Sequence, residues 1–179
     1  MELIDIVDEN NELTGQAEER KIAHEKCLWH RHVSSWIMNK NGEILLQRRS
    51  ENKLRNANKW AKTGGHVDSG ESVQDAIRRE VKEEIGIDIP KEQIEILEIF
   101  KSKDPNNKYF AYNFLFVVDY KIEDYILQKE EVAEVKYVTI EEMERIKKNN
   151  DSNYTFCKWV DEDFYREIEI LKQKRNSIS

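Results

Sequence analysis

Between Gly65 and Ile87 the chain continues an apolar helical stripe with carboxylates. At about 100° per residue, Val73, Ala76 and Ile77 share one face, the face that packs on a core. Glu80, Glu83 and Glu84 extend that face at i+3 and i+4 spacing. Like charges on adjacent turns repel, and an unpaired buried carboxylate is strongly disfavoured. A hard divalent cation removes the conflict, because Mg²⁺ or Mn²⁺ takes oxygen ligands and neutralises the cluster. The spacing therefore predicts a metal site on a helix running from about Glu71 to Ile85 and stopped by Gly86 at C′. The competing reading is a solvated acidic face, which a chain with 36 acidic residues can also produce.

The order Gly65, five residues, Glu71, seven residues, then Arg79-Glu-Val-Lys-Glu-Glu-Ile-Gly-Ile87 resembles the box of the Nudix (MutT-like) family. Every fixed position of that box is filled. The resemblance implies an α/β fold, a Nudix-type α/β/α sandwich with a mixed β-sheet. It implies a hydrolase that cleaves a diphosphate linked to another group, with Mg²⁺ or Mn²⁺ held by Glu80, Glu83 and Glu84. It also implies the backbone carbonyl of Gly64 as a ligand, since loop glycines let the backbone approach closely. Arg79 is expected to orient the cluster through a salt bridge with a neighbouring carboxylate, Glu83 standing at i+4. Glu71 reads as structural, its charge favourable at a helix N-terminus, beside the structural glycines Gly65 and Gly86.

Diphosphate hydrolysis needs charge neutralised on bridging oxygens, a positioned water and an in-line leaving group. Besides Glu83, Glu84 and Arg79, the catalytic candidates are Glu131 and Glu134. With Glu130 they precede the strand Val135 to Val138, a region that supplies a catalytic carboxylate in several Nudix enzymes. A solvated acidic loop accounts for them equally well. Arg48, Arg49, Arg55 and Lys62 are the cations near the box, and Arg48, Arg49, Lys62 and His66 are the substrate-binding candidates. Strand neighbours alternate, so one of Arg48 and Arg49 should reach a phosphate and the other should face solvent.

His24, His30, Val33 to Trp36, Gln47 to Arg49, Trp60, His66 and Gly70 to Ser72 together resemble type 1 isopentenyl-diphosphate isomerases, which share the Nudix fold. That resemblance implies a second metal site at His24, His30 and His66. Two features of those isomerases are missing. Their proton-donating cysteine immediately precedes the Gly-His pair, where this chain has Gly64, and their Glu-x-Glu ahead of the long strand corresponds to residues 106–110, which hold no carboxylate. Without that donor pair, alkene protonation lacks its acid and base. The reading is therefore a metal-dependent pyrophosphohydrolase acting on a nucleoside diphosphate linked to another moiety, or on a free nucleoside di- or triphosphate. The alternatives are an isomerase-like enzyme and a catalytically silent binding module, and a silent module is expected to lose box carboxylates.

At 179 residues the chain is long enough for one domain with an appendage. Residues 1–28 read as an N-terminal strand and hairpin extension packed on the main domain, and 29–179 as the Nudix domain with C-terminal helices. Strands are predicted at Leu3–Val7, from Leu13, at Val33–Met38, Glu43–Arg48, Ile94–Lys101, Tyr109–Tyr120 and Glu134–Val138. Helices are predicted from Thr139 to Lys148, with Thr139 as N-cap and Glu142 completing a capping box, and from about Phe156 to Lys174. A net charge of −7 with 36% charged residues argues against general affinity for nucleic acid. Cys27 and Cys157 lack metal-ligand spacing and read as reduced thiols of a cytoplasmic protein. The chain shows no signal-peptide pattern, and no apolar run approaches the ~18 residues that would suggest a membrane span. The expected partner is a small-molecule diphosphate, bound by a monomer or homodimer.

Overall fold

The structure, a computed structural model, describes residues 2–53, 55–150, 156 and 161–178. It has the expected α/β architecture. Seven strands form one sheet with the order β5-β4-β3-β8-β7, with β6 paired to β3 and β9 to β4, and β1 and β2 form a separate two-stranded sheet. These are β1 (Leu3–Val7), β2 (Leu13–Glu19), β3 (His30–Asn39), β4 (Ile44–Arg49), β5 (Trp60–Ala61), β6 (Thr63–His66), β7 (Ile96–Lys101), β8 (Tyr109–Val118) and β9 (Val132–Val138). The helices are α1 (Arg20–Glu25), α2 (Val73–Ile85), α3 (Ile140–Asn149) and α4 (Asp161–Ile178). Among the described residues no helix is long and apolar enough to cross a membrane. The chain divides into two compact units, and β3, α2 and β8 contribute residues to both.

The first unit takes Met1–Trp36, Thr63–Lys82 and Asp88–Phe116. Its β1–β2 hairpin turns at Asp8–Glu12, where Asp8 Oδ1 accepts from the backbone N–H groups of Asn10 and Glu12 and Asn11 takes a positive φ of 70°. Ile4 and Ile6 of β1 and Ala23 of α1 form a small buried core, with Leu28 packed on it. The hairpin is tied to the loop ahead of α2. Ser69 N–H donates to Leu3 O, and Asp5 accepts from the Ser69 hydroxyl and the Gly70 N–H. In this unit β3 pairs antiparallel with β6, placing His32 opposite His66 and Ser34 opposite Gly64. β7 pairs antiparallel with β8 through a bulge between Ile96 and Glu98.

The second unit takes Ile37–Lys62, Glu83–Ile87 and Val117–Ser179. Here β4 is central, with β5 on one side and β9 on the other. Ile44, Leu45, Leu46 and Gln47 are all buried, so the strand reads as an apolar run rather than an alternation. Thr139 Oγ1 accepts from Glu142 N–H and starts α3, whose Ile140, Met143 and Ile146 are buried. Phe164, Ile168 and Leu171 of α4 are buried in this unit, each gaining roughly 1.5–3 kcal/mol from burial. α3 and α4 are joined by Lys172–Glu144 and Arg175–Glu141 ion pairs.

Several sequence boundaries move. β3 starts at His30 rather than Val33, because the polar His-Arg-His run hydrogen-bonds as strand. β9 starts at Val132 rather than Glu134, so Glu134 lies inside the strand, opposite Arg48. The last helix starts at Asp161 rather than near Phe156, which instead bridges Trp60. Cys157 and the rest of 157–160 lie outside the described residues.

Candidate active site

Helix α2 begins two residues later than the sequence suggests, because Ser72 caps it. The Ser72 hydroxyl oxygen accepts from Asp75 N–H at 3.1 Å, and its carbonyl accepts from Ala76 N–H. The C-terminus ends as expected, with Gly86 at φ 78° where a Cβ would meet Ile126. The apolar face differs from the predicted one. Ile77, Val81 and Ile85, an i+4 row, are fully buried, whereas Val73 is half-buried. The neighbouring row, Ala76, Glu80 and Glu84, runs from buried through half-buried to a Glu84 that is 5% exposed, and Glu83 is exposed. The carboxylates therefore flank the core stripe instead of replacing it. A helix of 3.6 residues per turn lets both rows exist side by side.

Arg79 is the hub of the loop–helix junction. Its Nε and Nη2 donate to the two oxygens of Glu71 at 3.0 and 2.9 Å, Nη1 donates to Glu80 Oε1 at 2.9 Å, and Nη2 also reaches the His66 carbonyl at 3.0 Å. These bonds, the Glu71 pair first, push the guanidinium further into its charged form. Its partners include Glu71, eight residues back, and the adjacent Glu80. Glu71 also accepts from Asp68 N–H, so it ties the loop to the helix as a structural residue would. A Cβ at Gly65 would stand 2.3 Å from Glu80 Oε1, so the glycine is what lets this carboxylate lie against the loop backbone. Gly64 is tighter still. A Cβ there would stand 2.2 Å from Val33 O and 2.6 Å from Ser34 Cα on the paired strand.

Glu84 is held at both ends in the second unit. Gln47 Nε2 donates to its Oε2 at 2.8 Å, and its backbone carbonyl accepts from Gln128 N–H. Arg48 pairs with Glu134 at 3.1 Å and with Asn58, and Lys53 pairs with Glu131. Lys62 Nζ bonds Glu167 at 2.7 Å, and Glu167 is 1% exposed. Arg49 is half-buried, and its Nε is buried without a hydrogen-bond partner. The Arg48 side chain is 31% exposed and Arg49 is half-buried, where a loop after β4 folds back on the strand. Arg49 N–H donates to Lys59 O, and Asn58 N–H donates to Arg49 O.

All four histidines gather in the first unit. Among the described residues, one group of three metal-capable side chains brings its donor atoms together, and it is His24, His30 and His66, within 4.8 Å of one another. His24 Nε2 lies 3.0 Å from His66 Nε2. His30 Nδ1 lies 3.0 Å from the Leu28 carbonyl, which can only accept, so the proton sits on Nδ1 and Nε2 carries the lone pair. Burial lowers the pKa of His30, and burial above all pushes His66 well below its usual value. Buried neutral imidazoles fit a softer metal such as Zn²⁺ or Mn²⁺, whereas the oxygen donors of α2 fit Mg²⁺. Sequence reasoning missed His32 and Tyr109. His32 rests edge-on 5.3 Å from the His66 ring, and Tyr109 stands 5.8 Å from His32 and 6.2 Å from His30. The i, i+2 spacing of His30 and His32 on one strand was the available signal, since it sets both on one face.

The NUDIX domain model matches residues 28–160. An uncharacterized Nudix hydrolase of Clostridium acetobutylicum is 34% identical over 156 residues, 83% of this chain and 75% of that protein. Isopentenyl-diphosphate Delta-isomerase 2 of Photorhabdus laumondii is 29% identical over 172 residues, 94% of this chain and 96% of that protein. The crystal structure of a MutT protein from Methanosarcina mazei superposes with a TM-score of 0.61 at 27% identity, covering 82% of this chain and 94% of the other. With the box residues interlocked in the loop and helix that the sequence assigns to them, the chain belongs to the Nudix family.

Proposed function

We propose that the chain is a divalent-metal-dependent pyrophosphohydrolase, acting on a nucleoside diphosphate linked to another moiety or on a free nucleoside di- or triphosphate. One observation carries the reading: Arg79, Glu71, Glu80 and Gly65 are fixed against one another, and they are residues the box specifies. Mg²⁺ or Mn²⁺ held by Glu80, Glu83, Glu84 and the Gly64 carbonyl would supply charge neutralisation on the diphosphate and a water of lowered pKa. The chain's own groups do the rest. Arg79 holds the Glu80 carboxylate in place and anchors the loop through His66 O. Arg49, half-buried at the end of β4, is the cation whose guanidinium is best suited to donate to a phosphate oxygen. Arg48 and Lys62 are engaged with Glu134 and Glu167, and Glu131 with Lys53, so a role for any of them in binding or proton transfer requires breaking an ion pair.

The reading includes a cytoplasmic enzyme, monomeric or homodimeric, with a small-molecule substrate and no nucleic-acid or membrane partner, and residues 1–28 as an extension of the 29–179 domain. It is tested by incubating the protein and Mg²⁺ with nucleoside diphosphates linked to sugars, alcohols and second nucleosides, and with free di- and triphosphates. Release of phosphate or nucleotide that requires the metal, with oxygen from labelled water in one product, is the expected result. No metal-dependent release from any member overturns the enzyme reading and leaves a binding module.

A second reading, an isomerase-like enzyme with a metal on His24, His30 and His66, is favoured by the convergence of those rings and by the isomerase relative. Against it stands Gly64, where the isomerases carry a cysteine and where this backbone has no room for a Cβ. The protein with Mg²⁺, Mn²⁺ or Zn²⁺ is expected not to interconvert isopentenyl and dimethylallyl diphosphate. Sustained turnover reverses the order of the two readings.

A further inference from the structure

Gln47 is a polar side chain, 2% exposed, on a strand whose preceding residues Ile44, Leu45 and Leu46 are all apolar and buried. A buried amide in such a place costs stability unless its hydrogen bonds are made. Its Nε2 donates to Glu84 Oε2 at 2.8 Å and reaches the Lys62 carbonyl at 3.4 Å. A carbonyl accepts only, and an ionised carboxylate accepts only, so the NH₂ end of the amide has to face them and the assignment of its nitrogen follows from chemistry. Lys62 is itself anchored, through Nζ, to Glu167 of α4. On the far side of Glu84 the backbone is fixed as well, with Gln128 N–H on Glu84 O and Ile126 N–H on Ile85 O. The carboxylate is thus gripped by its side chain and by its main chain, from two segments remote in sequence.

We infer that Gln47 is a positioning residue of the metal site, fixing the plane of the Glu84 carboxylate by holding Oε2 and so setting where its other lone pairs point. The inference rests on the reading of Glu84 as a metal ligand. An amide suits this task better than a lysine or arginine, because it donates a hydrogen bond without placing a positive charge beside an incoming cation. Outer-shell partners of ligating carboxylates are typically worth 10–100-fold in metal affinity.

The test is Mn²⁺ binding to the full chain, followed by the electron-paramagnetic-resonance signal of the free ion, for wild type, Gln47→Met, Glu84→Gln and the double variant. Methionine keeps the volume of glutamine and removes the donor. The site in question is the one that Glu84→Gln weakens. Gln47→Met should weaken that site by about 10–100-fold, with an unchanged far-ultraviolet circular dichroism spectrum, and should add nothing in the Glu84→Gln background. Saturating Mn²⁺ should restore most of kcat with an unchanged substrate KM, a split that a purely structural defect would not give. Gln47→Asn, which withdraws the amide by one methylene, gives the same reading if the methionine variant does not fold. Wild-type Mn²⁺ affinity in Gln47→Met, or an equal loss in both backgrounds, overturns the inference. Unaltered Mn²⁺ binding in Glu84→Gln overturns the ligand reading beneath it.

Discussion

Replacing Gly64 with cysteine restores the residue type that the isomerases carry, and the structure states what it should cost. The new Cβ would stand 2.2 Å from Val33 O, whereas an ordinary carbon–oxygen contact begins at about 3.3 Å, so β6 and β3 have to separate by about 1 Å. Overpacking of this kind costs about 1–3 kcal/mol. At φ 158° the position also lies in a region that non-glycine residues avoid at about 1–3 kcal/mol. Together the loss is about 4 kcal/mol, or about 8–16 °C in Tm for a chain of this size. Gly15 is the internal control. It has φ 79° but nothing within 4 Å of its Cβ position, so Gly15→Ala reports backbone strain alone, about 1–2 kcal/mol. Urea and thermal unfolding of Gly64→Cys, Gly64→Ala and Gly15→Ala measure the difference, and the two Gly64 variants should match because the clash is at Cβ. Gly64→Cys should not isomerise isopentenyl diphosphate. Stability equal to that of Gly15→Ala, or isomerase turnover in Gly64→Cys, would refute the argument that the backbone excludes a side chain here.

Other outcomes follow from the same geometry. Glu83→Gln and Glu84→Gln should each lower kcat by about three orders of magnitude or more with the fold retained, since a metal ligand supplies several kcal/mol of transition-state stabilisation; a loss of tenfold or less contradicts the assignment. Metal analysis of wild type against the His30→Ala, His66→Ala variant should show one equivalent of Zn²⁺ or Mn²⁺ lost, and equal content in both removes the histidine site. In chelator-treated protein, the lowered pKa of His30 and His66 means that the unfolded chain binds protons first as pH falls. Stability should therefore be flat above about pH 7 and decline below about 6.5, by up to about 1.4 kcal/mol per histidine per pH unit until the folded-state values are reached. Urea midpoints that rise on acidification through that window would be incompatible with buried neutral rings. Lys62→Met should cost about 3 kcal/mol by stripping the buried Glu167 of its ion pair, visible as a lower Tm with KM little changed, whereas a raised KM at constant Tm would return Lys62 to the substrate site.

The parts of this molecule that were legible in its sequence are those whose determinants are local. Gly86 stops α2, Thr139 starts α3, and Asp8 to Glu12 turn the first hairpin, because each depends on one residue's backbone preference or on a hydrogen bond a few residues away. The box was legible for a different reason: its residues are bonded mainly to one another, as Arg79 is to Glu71 and Glu80. What escaped was most of the pairing made across the fold, the group of His24, His30 and His66 being legible only through the isomerase resemblance. Nothing in the spacing of Lys62 announces Glu167, 105 residues on, and nothing near Glu84 announces Gln47, which reads as one more residue of an apolar strand until the amide is seen to need an acceptor. The stripe on α2 shows how the two kinds of information combine. Periodicity placed Glu80 and Glu84 on the row of Ala76, but only packing decided that the adjoining row of Ile77, Val81 and Ile85 would take the core. The consequence is chemical. A carboxylate row at the border of a core keeps one edge dry, where Gln47 fixes Glu84, while Glu83 on the next position of the helix is exposed, and the proposed metal site would draw on both.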